Sequence, residues 1–315
     1  MPQKIIIDTD PGVDDTMAIY YALESGAFDI LGLTTVFGNV ETPLATLNAL
    51  RLLEIAGRTD IPVAQGATRP FAEPYFGAPA HIHGADGQGD LFLPAPSTQA
   101  ISLSAAQFIV DQIMAQPGEV TLVPLGPLTN IAMALLLEPQ IAQAVKQVVL
   151  MGGAAFVPGN ITPAAEANIF HDAIAAEMVL SAPWDVTMIG LDVTHQVIMS
   201  DEELGRYGAS AKATSQHISK VLPLYINFTR ESRGKPGLYT HDPTTISYLL
   251  NPALFEVQPY LVRVETEGFS IGKTWAWPQN VYSPLAAFQV GPEHLVNVVL
   301  GADVPAVNAM MLATV

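Results

Sequence analysis

Apolar residues in this chain fall into two recurring patterns, short continuous blocks and stripes at helical spacing. Ile5-Ile6-Ile7 is a block of the length expected for a buried strand. A polar stretch follows, and beyond it Met17, Ala18, Tyr21 and Ala22 recur on one helix face. The same alternation continues. Strands are predicted over residues 30–37, 61–66, 120–125, 147–151 and 185–190. Helices are predicted over 41–56 and 104–114, after Asn130, through Leu180, and from a capping-box pattern at Ser200 to Glu203. Later strands are expected over 260–266 and 281–289, and a short helix after His241-Asp242-Pro243. Two stretches break the rhythm. Residues 69–97 are rich in Pro and Gly, as expected of a functional loop or lid, and 157–168 is irregular.

Strand–helix alternation without a long linker predicts an α/β fold with a mostly parallel central sheet, Rossmann-like and open, flanked by helices. In such sheets ligands bind at the carboxyl ends of the strands. A length of 315 residues would allow about two domains on a prior of about 150 residues each. No composition shift divides the chain, so one domain over 1–315 is expected.

Half the residues are hydrophobic and only 14% are charged, which is ample for a large core. The net charge of −17 argues against nucleic acid or an anionic membrane as partner, because both require basic patches. There are no cysteines, which excludes disulfides, thiolate metal sites and cysteine nucleophiles. The start, Met-Pro-Gln-Lys, lacks a signal-peptide layout, and no apolar run reaches the roughly 18 residues of a membrane span. A cytoplasmic protein acting on a small molecule is the expectation.

The chemistry concentrates after the first strand, where Asp8, Asp10, Asp14 and Asp15 crowd around the turn at Pro11-Gly12. Taken singly, Asp14 or Asp15 serves equally well as a helix cap or first-turn residue, and Asp8 suits a bond to nearby backbone. Together they exceed what one helix end needs, and ionised carboxylates so close repel unless a cation or proton is shared. A hard divalent ion with oxygen ligands meets that need.

The run Asp-Thr-Asp-Pro-Gly-Val-Asp-Asp resembles the N-terminal signature of the inosine-uridine-preferring nucleoside hydrolases, and further matches extend the resemblance over most of the chain. It implies calcium-dependent (Ca2+) hydrolysis of the N-glycosidic bond of ribonucleosides. By that resemblance, Asp10, Asp15 and Asp242, with the main-chain oxygen of Leu125, hold the calcium ion. Asp14, Asn160, Glu166 and Asn168 match the ribose-binding positions, and Asn39 a residue near the reacting sugar. His241 matches the histidine beside the leaving base, and His83 one of the base-side pocket, with His81 an alternative. The resemblance also implies a metal-bound water as nucleophile, Asp10 as general base, and a homo-oligomer, dimer or tetramer. Where the family often has Thr before Gly-Pro-Leu-Thr-Asn this chain has Leu125, and Ala167 stands where Phe is common.

Taken singly, these residues have plainer readings. Asn39 after Gly38 and Asn160 after Gly159 suit turns, Glu166 and Asn168 suit solvent, and Asp242 before Pro243 suits a turn or cap. His171, His195, His217 and His294 show no partner in the sequence and read as structural or exposed. Tyr225, Phe228, Tyr239, Trp275 and Trp277 either stack on a base or fill core. Two rival functions remain. Asp8-Thr9-Asp10 after a strand is shared with haloacid-dehalogenase-like phosphohydrolases, although Lys is scarce here; the other rival is a non-catalytic nucleoside or ribose binder.

Overall fold

The computed structural model describes residues 2–72, 74–234, 236–279 and 294–315. Its strands are β1 (Gln3–Thr9), β2 (Phe28–Thr35), β3 (Val63–Gln65), β4 (Val120–Pro124), β5 (Gln147–Met151), β6 (Val186–Ile189), β7 (Ile198–Met199), β8 (Leu238–Tyr239), β9 (Phe255–Val264), β10 (Thr274–Trp277) and β11 (Val296–Ala302). Among the described residues, nine of them form one sheet in the order β10-β9-β11-β6-β5-β4-β1-β2-β3. From β3 to β11 the pairing is parallel; β9 and β10 extend the sheet by antiparallel pairing.

The three isoleucines of β1 are all fully buried, as a strand covered on both faces requires. Ile5 and Ile7 join the hydrophobic cluster on one face with Val123 and Val149. Ile6 points to the other face and packs with Leu122 and Val148. Strand order reverses around β1, with β2 on one side and β4 on the other, which opens a crevice at their carboxyl ends. Asp8 is level with Pro124, and the Leu125 N–H donates to the Asp8 carbonyl at 2.7 Å. Asp10 and Leu125 therefore leave the sheet side by side.

Several elements differ from the sequence expectation. A helix spans Ala213–Arg233 although Pro223 lies inside it, and Pro inside a helical pattern is a reason not to read one. The loop over 69–97 contains one helical turn, Ala80–His83. The helix expected through Leu180 is two helices, Ala167–His171 and Ala173–Ser181, broken at Asp172, whose carboxylate caps the second. The strand expected at 260–266 is β9, which starts five residues earlier at Phe255. His241 and Asp242 lie in the first turn of the helix His241–Leu250 and do not precede it. The strand expected over 281–289 lies outside the described residues. No described helix is long and apolar enough to cross a membrane.

Candidate active site

The turn after β1 is organised by Asp15. Its carboxylate accepts from the Thr9 hydroxyl, from the Asp10 N–H at 3.2 Å, from the Gly12 N–H at 3.0 Å and from the Asn39 side-chain amide at 2.9 Å. The helix Val13–Ser25 begins here, so Asp15 also satisfies free N–H groups at its end. Asp10 is held differently. The Asn39 N–H donates to its Oδ2 at 2.6 Å, while its Oδ1 is buried with no hydrogen-bond partner.

Asp8 does not join them. Thr34 and Asn130 donate to its Oδ1 inside the sheet, and burial lifts its carboxyl to about 7. Of the four carboxylates the sequence clusters, the structure thus brings three to the crevice.

The fourth member arrives from residue 242. Carboxylate oxygens of Asp14, Asp15 and Asp242 lie within 4.8 Å of one another, all buried. Burial raises the Asp242 carboxyl well above its usual range, and Asp14, Asp15 and Asp10 add like-charge repulsion. Asp10 is raised well above its ordinary value by burial and then by Asp15. Asp14, which accepts from the Tyr225 hydroxyl at 3.2 Å, is lifted by burial to about 6, and its Oδ1 has no hydrogen-bond partner.

This cluster adjoins a cavity of about 630 Å³ lined in part by Asp14, Asp242, Asn39, Leu125 and Met151. Asn160, Glu166 and Asn168 line it as well. Glu166 is buried, not solvated. It caps the helix Ala167–His171 and accepts from the Gly153 N–H at 3.0 Å, and burial lifts its carboxyl to about 7. The Asn168 amide donates to the Leu125 carbonyl at 2.7 Å, which leaves that oxygen a second lone pair. Asn160 is exposed, and its side-chain oxygen accepts from the Ala167 N–H at 3.0 Å.

Aromatic rings and histidines complete the wall. His83 stacks on Tyr225 with ring centres 5.3 Å apart, accepts from the Val13 N–H at 3.2 Å, and is pushed by burial down to about 4. His81 meets Phe228 edge-on at 5.6 Å. His241 Nδ1 lies 2.8 Å from the Thr194 hydroxyl, and burial, with His195 adding, holds the imidazole down to about 3. His171 and His195, read from sequence as structural or exposed, both line the cavity. Sequence offered no signal for them, because their neighbours Tyr75 and Tyr239 are distant in the chain. His217 is structural, with its Nδ1 2.9 Å from the Tyr20 hydroxyl. Tyr225, Phe228 and Tyr239 line the cavity, whereas Trp275 and Trp277 lie on β10 and are absent from its described wall.

The donor set fits a hard cation. It is all oxygen, crowded and buried, and two carboxylate oxygens there, Asp10 Oδ1 and Asp14 Oδ1, have no hydrogen-bond partner. A cation would offset both the repulsion and the desolvation that raise these carboxyls. Beside them stand hydrogen-bonding groups suited to a polyhydroxylated ligand and rings suited to a flat heterocycle.

Known proteins resemble this chain in sequence and fold. Residues 5–309 match the family described as inosine-uridine preferring nucleoside hydrolase. A probable uridine nucleosidase 2 of Arabidopsis thaliana is 43% identical over 315 residues, covering 98% of this chain and 96% of its own length. The pyrimidine-specific ribonucleoside hydrolase RihA of Shewanella woodyi is 46% identical over 270 residues, 85% of this chain and 86% of its own length. A solved plant nucleoside hydrolase, the PpNRh1 enzyme, superimposes with a TM-score of 0.95 at 36% identity, covering 100% of this chain and 99% of that one.

Proposed function

This chain belongs to the inosine-uridine preferring nucleoside hydrolase family, and we propose that it splits pyrimidine ribonucleosides, uridine foremost, into free base and ribose in the cavity beside Asp10 and Asp242. It is a hydrolase acting on N-glycosyl bonds of ribonucleosides. The observation that carries the site assignment is the convergence of the Asp14, Asp15 and Asp242 carboxylates, with Asp10 close enough to repel them, beside a cavity that also holds His241 and Tyr225. The pyrimidine preference rests on the names of the uridine and pyrimidine relatives.

Asp10, Asp15 and Asp242, with the Leu125 carbonyl, would hold the cation, and the all-oxygen set favours calcium. Calcium, when bound, would fix the sugar diol and the attacking water and partly neutralise the carboxylates. Asp10 takes the proton from water as its oxygen attacks the anomeric carbon. The carbon–nitrogen bond breaks with its electron pair leaving on the base, and the anomeric centre inverts. Positive charge on the sugar is met by the carboxylates around it. Asp14, Asn160, Glu166 and Asn168 hold the ribose hydroxyls, with Asn39 beside the reacting carbon. His83 faces the base. His241, kept neutral by burial, offers an N–H to the negative charge on the departing base.

A homo-oligomer, dimer or tetramer, would have exposed Leu136 and Leu137 available to cover. The lack of cysteine fits the cytoplasm. The phosphohydrolase alternative lacks a lysine along the described cavity wall. Assay of uridine, cytidine and inosine with calcium tests the reading. Uracil release is expected, with kcat/KM higher for uridine than for inosine. Binding without base release from any ribonucleoside would leave only the non-catalytic binder, and faster inosine cleavage would overturn the pyrimidine preference.

A further inference from the structure

His241 owes its place to a short ribbon outside the main sheet. β7 and β8 pair antiparallel, with Ile198 opposite Tyr239 and Met199 opposite Leu238, and the Thr240 N–H donates to the Val197 carbonyl at 3.2 Å. This register sets the end of the helix Leu191–Thr194 against the start of the helix His241–Leu250. Thr194 is fully buried there, with its hydroxyl 2.8 Å from His241 Nδ1. Among the described residues that hydroxyl has no other hydrogen-bond partner. The His241 ring also packs against His195 at 5.7 Å and Tyr239 at 5.5 Å, which helps hold its plane.

A neutral imidazole carries one N–H and one lone pair, and the partner of one nitrogen decides which is which. A buried hydroxyl with one acceptor in reach directs its proton there, since a buried donor without a partner is costly. We propose that Thr194 is a positioning residue that donates to His241 Nδ1 and so fixes the proton on Nε2, the nitrogen left to meet the departing base. This rests on the reading of His241 as the donor to that base. Thr194 touches no substrate; it acts through the tautomer of its neighbour.

The test compares Thr194→Val, which keeps shape and removes the hydroxyl, with Thr194→Ser, which restores it, in the calcium-loaded enzyme. With uridine, Thr194→Val is expected to lower kcat about 10-fold or more at nearly unchanged KM, in line with the usual loss on removing a histidine's outer partner. With p-nitrophenyl riboside, whose leaving group needs no donor, the rate should stay within about threefold, and Thr194→Ser should recover most of the uridine rate. Nitrogen-15 spectra of His241 should move from the Nε2–H form toward a mixture in Thr194→Val. Equal losses on both substrates, an unchanged tautomer, or no rescue by serine would overturn the proposal; Thr194→Ala serves if the valine variant does not fold. His241→Ala separates the two readings. Equal loss on both substrates there removes His241 as donor, while the nitrogen spectra still decide what Thr194 does.

Discussion

Gly38 leaves the space that the Asp10 carboxylate fills. A Cβ at residue 38 would lie 1.9 Å from Asp10 Oδ2, and one at Gly126 would lie 2.5 Å from Oδ1. Backbone from the ends of two neighbouring strands thus closes on Asp10 from both oxygens, and the Asn39 N–H adds a hydrogen bond. Only glycine permits that approach at either position.

Gly38→Ala is therefore expected to displace Asp10 and lower kcat by about 100-fold, the usual consequence of misplacing a reacting group by about 1 Å. The measurement is steady-state kinetics together with a melting curve showing that the variant is folded. A folded Gly38→Ala enzyme with near-normal kcat would show that the position of Asp10 is not critical.

Asp10→Ala removes the proposed base outright. Loss of kcat by about three orders of magnitude or more is expected, combining general-base and electrostatic contributions. A rate within tenfold of the parent enzyme excludes Asp10 as the base.

Chelation should separate the carboxylates' stake in folding from their stake in chemistry. Asp14, Asp15 and Asp242 oxygens within 4.8 Å of one another repel without a cation. Treatment with EGTA is expected to abolish activity and lower Tm by a few degrees, both restored by calcium, because a ligand at about 100 times its Kd stabilises by about 2.7 kcal/mol. Protons compete for the same raised carboxyls, so calcium affinity should rise with pH. Full activity after exhaustive chelation, confirmed by metal analysis, would dismiss the cation.

His217 gives a pH dependence of stability remote from the cavity. Burial, with Lys220 adding, pushes its imidazole from 6.5 down to about 4, and its Nε2 has no hydrogen-bond partner. Between those values the unfolded chain binds the proton more readily than the folded one, so acidification favours unfolding. The contribution is present above pH 6.5 and is lost as pH falls toward 4, by at most about 3 kcal/mol. Raised groups such as Asp8 and Glu166 act with the opposite sign, so the comparison must be with a variant. Urea unfolding of His217→Phe at pH 7, 5.5 and 4 should show the stability gap to the parent shifting in the variant's favour as pH falls. A constant gap would mean His217 titrates alike in both states.

The sequence by itself determined what is local. Ile5-Ile6-Ile7, the turn at Pro11-Gly12 and the stripe from Met17 specify a strand, a turn and a helix within one short segment, and that segment carries Asp10, Asp14 and Asp15 to a strand end. Side-chain periodicity and turn chemistry act over a few residues, so they are readable without the fold. Tertiary structure decided what meets them. It brought Asp242 to Asp14 and Asp15, withdrew Asp8 to Thr34 and Asn130, and set Thr194 against His241 across 47 residues of chain. It also placed β11 between β6 and β9, and let the helix Ala213–Arg233 continue through Pro223. These outcomes depend on strand order and on packing between distant segments, where many side chains together outweigh a local preference, and no single stretch of sequence contains that sum.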